Sequence, residues 1–90
     1  MVMKIKNGFI SRQVAGSNVV VATGEQSKNF NGIIKLNDSG KLLWDKLFSG
    51  ATQDELIAAL LDEYEIDRAT AEADVEKFIG ELRNAGAVED

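Results

Sequence analysis

The run Asp62-Glu63-Tyr64-Glu65-Ile66-Asp67 is the densest gathering of side chains able to hold a cation. Calcium is the ion such carboxylates would suit. The run lacks the alternating Asp/Asn ligands and the central Gly of an EF-hand loop, so it reads as one helix end and the cap of the next. The chain has no His and no Cys. That removes the commonest acid–base group, the commonest nucleophile and the ligands of a zinc site. Gly8, Gly16, Gly24, Gly32 and Gly40 are spread through turns rather than gathered into a phosphate-binding loop. Carboxylate pairs alone, on a 90-residue chain with no concave scaffold signature, make a poor enzyme. The sequence therefore predicts no enzyme activity, no metal and no cofactor. Binding is the chemistry that is left.

The elements that would position a binding site divide into a β-rich front and an α-rich back. Phe9 to Val14 and Val19 to Ala22 read as two strands of a hairpin, with Ala15-Gly16-Ser17-Asn18 as the turn. Thr23 to Gly32 is a polar connection, in which Phe30 is either buried or part of a lip. Ile33 to Leu36 reads as a third, short strand, with Ile34 and Leu36 on one face and Ile33 and Lys35 on the other. The first helix is expected from Asp38 to Phe48, N-capped by Asn37 and stopped by Gly50. Its stripe is Leu36, Gly40, Leu43 and Leu47, widened by Trp44 and Phe48. Thr52 and Glu55 form a capping box ahead of a second helix with Leu56, Ile57, Leu60, Leu61 and Tyr64 on one face. A third helix is expected from Asp67, as N-cap, to about Ala85, with stripe Ala71, Val75, Phe78, Ile79 and Leu82. Gly86 ends it and Val88 packs back onto the core. The fold class is α+β: a three-stranded antiparallel sheet followed by three helices, a winged-helix-like layout in a single domain over residues 1–90.

The net charge of −5 is unevenly distributed: residues 1–36 carry +4 and residues 37–90 carry −9. No apolar run approaches the ~18 residues of a membrane span. The Met-Val-Met-Lys-Ile-Lys start lacks the apolar region of a secretory signal. With no cysteine, these features point to a cytoplasmic protein.

Two kinds of guest suit such a module. A winged helix that binds DNA must neutralise phosphates with its recognition helix. Here the third helix sets Arg68, Lys77 and Arg83 against Glu72, Asp74, Glu76 and Glu81, a net −1. An acidic helix would be pushed from the groove, so a DNA-binding regulator is the weaker alternative. The other guest is an extended peptide. The third strand lies at a sheet edge, where unpaired N–H and C=O groups accept a further strand. Lys35 would suit an acidic peptide, or serve only as a charged gatekeeper on the edge. The same edge allows a homodimer.

Leu36-Asn37-Asp38-Ser39-Gly40 followed by Leu43-Trp44-Asp45-Lys46-Leu47 resembles the Leu-Asn-x-x-Gly/Ala…Ile/Leu-Trp segment of PqqD-like proteins. Gly50…Thr52…Glu55-Leu56 and Asp74-Val75…Phe78-Ile79…Leu82…Gly86-Ala87-Val88 resemble the second and third helices of that family. The resemblance implies a precursor-peptide chaperone, or RiPP recognition element. Such domains bind the leader of a ribosomally made peptide and present it to a modifying enzyme, often a radical SAM protein. It implies a leader added to the third strand at Ile33, Ile34, Lys35 and Leu36, beside Asp74, Lys77, Ile79 and Glu81 of the third helix. Proteins of the pyrroloquinoline quinone pathway carry Cys-Asp-Gly where this chain has Phe48-Ser49-Gly50. Their second strand follows a Leu-Leu-x-Pro-Glu pattern, replaced here by Val-Val-Val-Ala-Thr-Gly at 19–24. These departures point to a stand-alone element serving another peptide product.

Overall fold

A computed structural model describes residues 2–24, 28 and 32–89. Most of the polar connection, Phe30 included, lies outside the described residues. The elements run β1 (Lys4–Ile5), β2 (Phe9–Val14), β3 (Ser17–Ala22), β4 (Ile34–Leu36), α1 (Asp38–Ser49), α2 (Gln53–Glu63), α3 (Arg68–Asn84) and β5 (Val88–Glu89). Strands β2, β3 and β4 form an antiparallel sheet in that order, so β4 is an edge. This is the expected three-stranded sheet followed by three helices.

The hairpin is tighter than its sequence suggests. Val14 pairs with Ser17, leaving only Ala15 and Gly16 as the turn. Both have positive φ, at 51° and 81°. Two successive left-handed residues give the type I′ twist that matches the flanking strands, so Ser17 and Asn18 join β3 instead of the turn. Asn18, Val19 and Val20 then pair with Leu36, Lys35 and Ile34. Ile33 lies just outside β4 and is 67% exposed.

Local capping sets each helix start. Asn37 Oδ1 accepts from the Gly40 N–H at 2.8 Å. In the Thr52–Glu55 box, each backbone N–H donates to the other residue's side chain, at 2.8 and 3.1 Å. Asp67 accepts from the Thr70 N–H at 2.8 Å. Each bond satisfies a donor that the helix itself leaves orphaned. Gly50 closes α1 at φ 100°, a conformation that favours glycine. Lys41 ties α1 to the sheet: its ammonium donates to Ser11 Oγ at 3.1 Å and pairs with Asp45 at 2.7 Å.

One core joins the layers. Phe9, Val20 and Leu36 from the sheet meet Leu43, Trp44 and Leu47 of α1, Leu56, Ile57 and Leu60 of α2, and the α3 stripe Ala71, Val75, Phe78, Ile79 and Leu82. Phe48 departs from expectation. It is 51% exposed in the last turn of α1, where its ring lies against Trp44 with centroids 6.2 Å apart. Trp44 takes the buried place and Phe48 covers its outer side. The sequence reading also missed a second sheet. Lys4 pairs with Glu89 and Ile5 with Val88, and Met3 bridges Ala51 through two backbone hydrogen bonds. Met3 and Ile5 are core residues for that reason, and Val88 packs back onto the core as an element of this pairing.

Candidate functional site

Among the described residues, strand β4 pairs with β3 on one side only. Backbone N–H and C=O groups alternate in direction along an antiparallel strand, so part of the β4 ladder faces away from the sheet. A cleft of about 370 Å³ lies between this strand and α3. Its apolar floor is Leu36, Gly40, Leu43 and Phe78, with Leu43 2% and Phe78 8% exposed. Lys35, Asp74, Lys77 and Glu81 line it and are exposed. Toward the start of β4 it continues into a second cavity bounded by Ile33, Ile34, Lys35, Glu81, Asn84 and Ala85.

Three of the four charges of the cleft are spaced to pair along α3, since Asp74 and Glu81 lie three and four residues from Lys77. Such neighbours commonly pair on a helix surface. Among the described residues none of the four, Lys35 included, forms an ion pair. Their charge is therefore open to a guest.

Of the residues singled out in the sequence, Lys35, Leu36, Asp74, Lys77 and Glu81 line the central cleft, and Ile33 and Ile34 line its continuation. Ile79 does not belong with them. It is 7% exposed, packs in the core and lines neither cavity. The reason is helical phase: at 3.6 residues per turn, Ile79 points roughly 160° away from the centre of the stripe Asp74, Lys77, Phe78, Glu81, Asn84 and Ala85. Phe78 takes the place given to Ile79, lying on the border between the core stripe and the cleft. Asn37, Gly40 and Leu43 also line the cleft and were missed because their roles as cap and helix stripe account for them; Ser39, which lines it too, carries no sequence signal. The i, i+3/i+4, i+7 spacing of Asp74, Phe78, Glu81 and Ala85 is the signal that finds the helical wall.

A three-stranded antiparallel sheet, three helices and a cleft between the edge strand β4 and the last helix define a winged-helix-like α+β domain. Residues 18–88 match the family described as Coenzyme PQQ synthesis protein D (PqqD), and the chain belongs to that family. Two solved structures share the fold. TbiB1 in complex with the TbiA(beta) leader peptide is 26% identical with a TM-score of 0.76, over 96% of this chain and 94% of that one. A lasso peptide synthetase B1 complexed with the leader peptide is 20% identical with a TM-score of 0.76, over 98% of both chains. No curated protein matches the sequence. Among the described residues, no helix is long and apolar enough to cross a membrane.

Proposed function

We propose that this chain binds the leader segment of a ribosomally synthesised precursor peptide and presents it to a modifying enzyme. The leader adds as a strand to β4 and lays alternate side chains into the cleft against α3. The carrying observation is the β4 edge, set beside a cleft with an apolar floor and four charges that form no ion pair among the described residues. Membership of the PqqD family and the likeness to TbiB1, which is held with a leader peptide, support the same reading. Main-chain bonds to β4 supply affinity and the cleft supplies selectivity. The interface of a short guest falls below about 1,200 Å², which suits micromolar rather than picomolar binding.

The chain acts as one adaptor domain and not as a catalyst. The enzyme it serves is a radical SAM maturase, as the family resemblance implies, and both work in the cytoplasm where the precursor is made. Self-pairing through β4 would compete with the guest. Nucleic acid is disfavoured by the acidic α3.

The test is an amide titration of the labelled protein with the precursor leader that co-purifies from its own cells. Shifts are expected in residues 32–36 and along the Asp74–Ala85 wall. A saturating leader that leaves these amides unmoved would sink the proposal. Lys35→Glu is expected to weaken an acidic leader, and unchanged affinity would leave Lys35 as an edge gatekeeper only.

A further inference from the structure

The groove does not end where β4 ends. A notch of about 320 Å³ continues it past the first turn of α1, sharing Asn37, Ser39 and Asp74 with the central cleft. Its inner wall is apolar: Leu60 and Tyr64 at the end of α2, and Ile66 in the link to α3. Leu60 is 1% exposed, and Tyr64 and Ile66 are partly buried against the core. The charged groups lining the notch are Asp38 and Asp74, with no cation among them. Neither forms an ion pair among the described residues.

The surroundings reinforce that sign. Asp62 and Glu63 at the end of α2 and Glu65 in the link flank the notch-lining Tyr64 and Ile66 in the chain. On α3, Lys77 lines the central cleft and not the notch. Arg68 is engaged by Glu72 at 3.0 Å and Asp54 at 3.9 Å. The positive end of the α1 dipole also lies here, but the Asn37 side chain already caps it and Asp38 occupies its first turn.

We propose that this notch takes a basic side chain, Lys or Arg, carried by the leader on the N-terminal side of the segment that pairs with β4. The inference rests on the strand-addition reading given above. Every pairing between strands among the described residues is antiparallel. A guest that continues the pattern runs opposite to β4, so the residues that pass beyond Leu36 toward α1 are its N-terminal ones. The aliphatic stem lies on Leu60, Tyr64 and Ile66 while the charged head meets Asp38 and Asp74. This gives a use to the acidic run between α2 and α3, of which Asp67 alone is needed as a cap.

The experiment pans a random peptide library on the whole protein and keeps binders that shift the Ile34–Leu36 amides. Lys or Arg is expected to be enriched before the apolar strand segment. Its replacement by Ala is expected to weaken binding about three- to tenfold at low salt, as fits two exposed carboxylate contacts. The same replacement is expected to change nothing in an Asp38→Asn/Asp74→Asn double variant. Absence of enrichment, enrichment on the C-terminal side, or an equal loss in the double variant overturns the notch while leaving strand addition standing. A library that yields no binder shifting the β4 amides overturns strand addition itself, and the notch with it.

Discussion

Gly40 is the third residue of α1 and the floor of the cleft, and its substitution separates two opposing effects. A Cβ built at Gly40 would lie 3.0 Å from Asn37 Oδ1, the atom that caps the helix by accepting from the Gly40 N–H at 2.8 Å. The same oxygen accepts from Ser39 Oγ at 3.0 Å, so it is held from two sides. The nearest Leu36 carbons, at 3.5 and 3.6 Å, are ordinary contacts. Gly40→Ala gains about 0.8–1 kcal/mol of helix propensity. Pushing the Asn37 oxygen off its cap loses about 1 kcal/mol, so the net change in the native background is near zero. Asn37→Ala alone costs about 1 kcal/mol. Once that oxygen is gone, Gly40→Ala recovers its full gain. Urea unfolding of the four proteins in the cycle reads the difference, because 1 kcal/mol moves the midpoint by roughly 0.5–1 M for a small domain. The expected coupling is about 1 kcal/mol. If Gly40→Ala shifts stability equally in both backgrounds, within about 0.3 kcal/mol, the steric account of this cap is wrong.

The remaining predictions concern stability. Trp44→Ala is expected to cost about 3–5 kcal/mol and Phe48→Ala only about 1 kcal/mol, although both residues widen the same helical stripe. Equal losses in denaturant melts would contradict the exposed placement of Phe48. Ile5→Ala is expected to cost about 2–5 kcal/mol, because Ile5 is a core residue despite its two-residue strand. A loss near zero would mean that β1 does not dock in solution. The side-chain and backbone hydrogen bonds of Thr70 hold the Asp67 carboxyl below its ordinary 3.8. A depressed folded pKa means that its contribution is complete above the unfolded value and is lost as pH falls through the folded one. Asp67→Asn keeps an acceptor that does not titrate, so the variant is expected to lose less stability between about pH 5 and about pH 2. Parallel acid profiles for the two proteins would remove Asp67 from the acid response.

The features legible in the sequence are those written by neighbours. Asn37, Thr52 with Glu55, and Asp67 announce their helices because a cap acts within three residues. Strands β1 and β5 carry no such signal. Two residues show no period, and each partner sits at the opposite end of the chain. The edge position of β4, and Lys35 on it, follow from its order in a meander, whereas Asp74, Lys77 and Glu81 are reached only through the family resemblance. Ile79 and Phe78 were harder to separate because an apolar stripe on a helix is wide. Adjacent members point about 100° apart, so one faces the cleft border and the other the core.

The pairing of Lys4 with Glu89 and Ile5 with Val88 also has a mechanical consequence. The two ends of the described fold lie side by side, and none of their strand residues lines the groove. A polypeptide could therefore enter and leave through one doorway without disturbing the groove. Residues 2 and 89 could be joined by a short linker and the chain reopened at the Ala15–Gly16 turn, where the backbone is exposed. The paired ends thus form a single exit from the fold, built from residues that the groove lining does not use.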